Sequence, residues 1–109
     1  MSTLSTHVLD TALGVPAPGV PVTLESSDGV LALASTDLDG RVKDFKLANG
    51  QLGIGAYTLT FSVGDYFKHS GRQSLYSNIV IQFHIADASA HYHIPLLLSP
   101  FGYSTYRGS

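Results

Sequence analysis

The stretch that decides the fold is His91-Tyr92-His93-Ile94-Pro95-Leu96-Leu97-Leu98-Ser99. Tyr92, Ile94, Leu96 and Leu98 fall on alternate positions, the two-residue period of a β-strand with one buried face. His91, His93, Pro95 and Leu97 therefore share the opposite face. That face is half apolar and half imidazole, which fits a surface covered by another subunit with a polar site inside it. The same period recurs in Val20, Val22 and Leu24, in Tyr57, Leu59 and Phe61, and in Ile79, Ile81, Phe83 and Ile85. Helical periodicity is nearly absent, and only Gly64 to Ser70, around Tyr66-Phe67-Lys68-His69, could supply a helical turn or two. Turn signals separate the runs at Pro16-Ala17-Pro18-Gly19, Ser27-Asp28-Gly29, Asp37-Leu38-Asp39-Gly40, Asn49-Gly50 and Asp87 to Ser89. Asp28-Gly29, between two apolar-alternating runs, is a hairpin cue. Seven or eight short strands in this order favour an all-β Greek-key β-sandwich.

At 109 residues, positions 1–109 read as one domain. A chain of that size buries about two-thirds of its unfolded surface, enough for a core without staples. Zero cysteines remove disulfides, thiolate nucleophiles and thiolate metal sites together. The net charge of -2, with only 13% charged residues, leaves no basic stripe to neutralise phosphates, so no nucleic acid partner is expected. The longest apolar stretch, Ile94 to Leu98, is far too short to span a bilayer, and no membrane partner is expected. The first ten residues carry no Lys or Arg and no apolar run of signal length, which makes the cytoplasm the default location.

Two more segments carry polar groups opposite an apolar face. In Thr6-His7-Val8-Leu9-Asp10, an inward Val8 leaves His7 and Leu9 outside. In the tail, Ser104 and Tyr106 point opposite to Tyr103 and Thr105. If these strands are neighbours, His7, His93 and Tyr106 share one surface. Two histidines, an arginine, a tyrosine and a serine without a thiol point to hydrolysis by an activated water. A histidine near its ordinary pKa serves as general base at neutral pH, and an arginine holds an oxyanion or a planar heterocycle. Blander readings stand beside these. His91-x-His93 also suits zinc, but no Cys and no spaced acidic partner accompany it, so no metal is expected. A lone His7 is ordinarily a solvent-facing or packed imidazole. Arg41, after the Asp37 to Gly40 turn, is ordinarily a solvated hairpin arginine, and His69 and His84 are isolated surface residues.

In combination these residues resemble the 5-hydroxyisourate hydrolase family, the transthyretin-related proteins of purine breakdown. The resemblance runs from Ser5-Thr6-His7-Val8-Leu9-Asp10 through Thr36, Asp39-Gly40-Arg41, Gly55-Ala56-Tyr57 and Tyr66-Phe67. It closes with His91 to Pro100 and Tyr103-Ser104-Thr105-Tyr106-Arg107-Gly108-Ser109, whose terminal Tyr-Arg-Gly-Ser is its most specific part. The resemblance implies a transthyretin-like sandwich of two four-stranded sheets with one short helix after the fifth strand. It also implies a homotetramer, a dimer of dimers, whose channel holds the sites at its two ends. By position it implies catalytic His7, Arg41 and His93, and substrate contacts from His7, Arg41, Tyr106 and Ser109, with no cofactor. The implied reaction opens the six-membered ring of 5-hydroxyisourate by hydrolysis of a lactam C–N bond, on the route from urate to allantoin. The alternative is a transthyretin-like small-ligand carrier without catalysis. One departure is Ser74-Leu75-Tyr76-Ser77-Asn78, where the family tends to carry a Phe-Tyr-Pro-Glu type of stretch.

Overall fold

Strands with one apolar face must bring two such faces together. The computed structural model describes residues 3–48 and 50–109; Asn49 of the expected Asn49-Gly50 turn lies outside the described residues. The elements run β1 (Thr3–Asp10), β2 (Val15–Pro16), β3 (Pro21–Ser26), β4 (Gly29–Ser35), β5 (Arg41–Val42), β6 (Gly55–Phe61), α1 (Val63–His69), β7 (Ile79–Ile85), β8 (His91–Ser99) and β9 (Gly102–Thr105). One sheet is ordered β2-β1-β8-β9 with β5 also paired to β1, and the other is ordered β4-β3-β6-β7.

The expectation of four strands in each sheet holds for the second sheet and needs refining for the first. There β5 pairs Thr6 and His7 while β2 pairs Leu9 and Asp10. Each is two residues long, so together they fill one edge position beside β1, and the sheet is four positions wide. With β2 set aside, the helix follows the fifth strand. Tyr92, Ile94, Leu96 and Leu98 are all buried, and they meet Val22, Leu24, Leu59 and Phe61 of the facing sheet in one core cluster. The alternation is softer on the edge strand β7, where Ile79 and Ile85 are sealed but Ile81 and Phe83 are half-buried.

Local chemistry explains the remaining elements. Val63 and Phe67, one helical turn apart, anchor the short helix to the core. The β3–β4 hairpin turns on Ser27 and Asp28, because Ser26 pairs with Gly29, which opens β4 at φ 122°. That is one residue earlier than the Asp28-Gly29 cue. Among the described residues the buried polar side chains Thr6, Asp10 and Thr36 are all hydrogen-bonded, while Arg72 Nη1 is buried without a partner. Thr6 Oγ1 donates to the Ile94 carbonyl at 2.6 Å, and Thr36 Oγ1 donates to Ala17 and accepts from Val20 N–H. Asp10 is fully buried and accepts from Arg72, from Tyr66 Oη at 2.7 Å and from Leu13 N–H at 3.2 Å. Burial pushes its carboxyl up, but these donors outweigh burial and hold it below the usual carboxylate range. The divergent stretch from Ser74 to Asn78 packs beneath the β8–β9 turn, with Leu75 N–H on the Pro100 carbonyl and Tyr76 edge-on to Tyr103.

The pairing that builds the functional face is the one between β1 and β8. They run parallel from Thr3 opposite His91 to Asp10 opposite Leu98. With β5 on the far side of β1, this register lines up Arg41, His7 and Pro95 in one row across the sheet, and Ser5 and His93 in the next.

Candidate active site

Arg41 is delivered to this face by its turn. Asp37 Oδ1 accepts from the backbone N–H of Asp39 at 2.9 Å and of Arg41 at 3.0 Å, and the Arg41 bond leads the causes that hold the Asp37 carboxyl below its ordinary value. Gly40 sits at φ 76°, where a Cβ would lie 2.4 Å from the Val8 carbonyl oxygen. Only glycine lets the turn press this close to β1. Val8 N–H then reaches the Gly40 carbonyl at 2.7 Å, and the chain emerges with Arg41 opposite His7.

His93 is fixed from three sides. Its Nδ1 bonds the Ser5 hydroxyl at 2.8 Å, and its carbonyl accepts from Gly108 N–H at 2.7 Å. Its ring lies over Gly108, where a Cβ would stand only 2.6 Å from Cδ2. The glycine of the terminal motif is thus the space that the imidazole occupies. Burial, foremost, pushes the His93 ring toward its neutral form, and the positive groups of Arg41, His7 and His91 add to it. A neutral imidazole at neutral pH is the form that accepts a proton.

Arg41, His93, His91 and Ser109 line one open recess of about 350 Å³ together with Ser5, Thr6 and Lys43. The basic side chains of Arg41 and Lys43 and no carboxylate side chain line it, which suits an anionic ligand. His7 borders Arg41 in the same row but points its Nε2 at the Asp39 carbonyl, 2.8 Å away. A carbonyl only accepts, so Nε2 carries the proton and Nδ1 is the nitrogen left for chemistry. Tyr106 is not in the recess wall. The β8–β9 register, continued to the bridge between His93 and Gly108, puts Tyr106 opposite Pro95. It is 55% exposed and borders a second recess of about 240 Å³ with Phe83, Tyr92 and Arg107. Arg107 lies over the Tyr92 ring at 4.2 Å, on the core side of the sheet, away from His93.

Sequence reasoning passed over Ser5, Lys43 and Thr3. Alternation carries the signal for all of them, since Ser5 and Thr3 share the face of His7, and Lys43 shares that of Arg41. Both ring nitrogens of His91 are engaged, Nδ1 by Thr3 Oγ1 and Nε2 by Ser5 Oγ at 2.8 Å. Among the described residues no group of three or more His, Cys, Asp or Glu stands together as metal ligands.

Known proteins match this chain in sequence and fold over nearly its whole length. The 5-hydroxyisourate hydrolase 2 of Rhizobium meliloti (strain 1021) is 45% identical, over 97% of this chain and 95% of its own. The structure of Klebsiella pneumoniae 5-hydroxyisourate hydrolase superposes with a TM-score of 0.91 at 44% identity, covering 100% of both chains. Sea bream transthyretin in complex with thyroxine superposes with a TM-score of 0.87 at 26% identity, over 97% of this chain and 94% of its own. Residues 4–108 match the profile described as the HIUase/Transthyretin family. With sequence and fold both matching, the chain belongs to the HIUase/Transthyretin family.

Proposed function

We propose that the protein hydrolyses 5-hydroxyisourate, with the whole chain acting as one hydrolase domain. The observation that carries this is the recess that sets a neutral-leaning His93 beside Arg41, in a chain 45% identical to a 5-hydroxyisourate hydrolase. His93 Nε2, the nitrogen not bonded to Ser5, takes a proton from water as the oxygen attacks the ring carbonyl. Arg41 stabilises the developing oxyanion, and Lys43 adds to the positive field around it. The proton then passes to the departing lactam nitrogen as the C–N bond breaks, giving a carboxylate. Ser109 and His7 hold the heterocycle, whereas a contact from Tyr106 would require its ring to leave the neighbouring recess it borders. No cofactor takes part.

The active assembly in this proposal is a homotetramer, a dimer of dimers, in the cytoplasm. Leu9 and Leu97 pair on the outer face beyond the histidines, and that end of the sheet also exposes Leu13, Val15 and Phe101. Such a contiguous apolar end is surface that a second copy would cover. Analytical ultracentrifugation reads the assembly, and fractionation of the source cells reads the location. The test of the reaction is to generate 5-hydroxyisourate with urate oxidase and follow its ultraviolet decay. Decay accelerated in proportion to protein supports hydrolysis. Decay no faster than spontaneous, with tight binding of an aromatic ligand, supports the carrier alternative instead.

A further inference from the structure

We propose that Ser5, His91 and Thr3 form a hydrogen-bonded relay that sets, and can invert, the tautomer that His93 presents to the recess. The inference rests on His93 as the proton-moving group of the proposed reaction and adds positioning residues behind it.

Four groups are strung in a line. Thr3 Oγ1 meets His91 Nδ1, His91 Nε2 meets Ser5 Oγ at 2.8 Å, and the same Ser5 Oγ meets His93 Nδ1 at 2.8 Å. The register explains why they line up. Thr3 stands beside His91 and Ser5 beside His93 on parallel strands, all on one face. A hydroxyl has one proton to give, and a neutral imidazole has one N–H and one lone pair. Ser5 therefore cannot donate to both rings, and accepting from both would turn its own proton out of the line. While that proton stays in the line, only two polarities are self-consistent. In one, Thr3 donates to His91, His91 to Ser5 and Ser5 to His93 Nδ1, so His93 Nε2 carries a proton and faces the recess as a donor. In the other every bond is reversed, and His93 Nε2 faces the recess as a lone pair, the form a base needs.

Proton transfer along the line connects the two forms. When His93 Nε2 takes a proton from water, its Nδ1 proton moves to Ser5 Oγ and the Ser5 hydroxyl proton moves to His91 Nε2. The His91 Nδ1 proton moves to Thr3 Oγ1, and the Thr3 proton passes to solvent, which both exposed end groups reach. One proton enters and one leaves, and His93 stays neutral with its proton on Nε2. As that proton passes to the leaving nitrogen the line runs back, Nδ1 regaining a proton from Ser5 and Thr3 one from solvent. Ser5 and His91 are positioning residues in this scheme, acting through Nδ1 of His93.

The test reads the tautomer directly. Protein labelled with ¹⁵N-histidine is examined by NMR at about pH 8, where histidines near their ordinary pKa of about 6.5 are neutral. His91→Asn, which removes a group two bonds from His93, is expected to shift the balance between the His93 Nδ1–H and Nε2–H signals. In a Ser5→Ala background, the same substitution is expected to change nothing, because the link is cut. Ser5→Ala is also expected to lower kcat for 5-hydroxyisourate by at least about tenfold with little change in KM. Ser5→Thr, which keeps the hydroxyl, is expected to restore the tautomer balance and most of kcat. A His93 tautomer balance that ignores His91→Asn in the otherwise native chain would overturn the relay, as would a Ser5→Ala protein with native kcat. The NMR arm needs no turnover, so an inactive native protein would sink the hydrolase proposal while leaving the relay independently tested.

Discussion

Replacing Gly108 with alanine tests how closely the terminal segment and the catalytic ring are fitted. The added Cβ would stand 2.6 Å from His93 Cδ2 and 3.4 Å from both His93 Cγ and Pro95 Cγ. Carbon atoms rest at about 3.5–4.0 Å, so the ring or the tail must give way by about 1 Å. The backbone of Gly108 is outside the left-handed region, so the substitution carries no dihedral strain, only this collision. If the ring moves, Nδ1 leaves Ser5 and the imidazole leaves its place in the recess wall. If the tail moves, the bond from Gly108 N–H to the His93 carbonyl is lost and Ser109 goes with it. Either displacement misplaces a reacting group by about 1 Å, which costs on the order of 10²-fold in rate. Gly102→Ala is the matched control, since its Cβ meets nothing nearer than Ser99 Oγ at 3.7 Å. The assay is kcat from 5-hydroxyisourate decay, with urea denaturation confirming that both variants are folded. A folded Gly108→Ala protein within about twofold of native kcat would refute the fit described between glycine and imidazole.

Further outcomes follow from the same geometry. Gly40→Ala places Cβ 2.4 Å from the Val8 carbonyl at φ 76°, so overpacking and backbone strain should together cost several kcal/mol, roughly 2–6 in urea denaturation; under 1 kcal/mol would contradict the close approach. Asp10→Ala leaves Arg72 without its buried partner and should cost about 3–5 kcal/mol. Because the folded Asp10 carboxyl titrates below its unfolded value of about 3.9, its stabilisation is present above that pH and is lost as pH falls through the lower folded value. Native and Asp10→Asn acid-denaturation curves should differ accordingly, and identical curves would contradict the assignment. His93 should titrate below the ordinary value of about 6.5 by NMR. Arg41→Gln should raise its midpoint without restoring it fully, since burial is the larger cause. A native midpoint at or above 6.5 would overturn that picture.

Period-two alternation was enough to read the core faces of β3, β6 and β8 and to place His91, His93, Pro95 and Leu97 together. It could not show that β1 lies parallel beside β8, because pairing across such a sequence distance leaves no local trace. Without that neighbour, Ser5 reads as an ordinary strand serine, and its position between two imidazoles is invisible. The two-residue β5 was likewise hidden directly behind a turn signal; only the fit of Gly40 against Val8 turns a hairpin arginine into one opposite His7. Tyr106 shows the opposite limit. Alternation puts it on the His93 face, and the register agrees, yet pairing lapses opposite Pro95, which has no N–H to offer, and the ring borders a different recess.

The central claim is that the recess holding His93 and Arg41 hydrolyses 5-hydroxyisourate, and the decisive measurement is the ultraviolet decay of that compound with native protein and with His93→Ala, Arg41→Ala and a chain lacking residues 106–109. Acceleration by the native protein that is lost in all three folded variants is the result expected. Undiminished acceleration in His93→Ala, or none in the native protein, would contradict it.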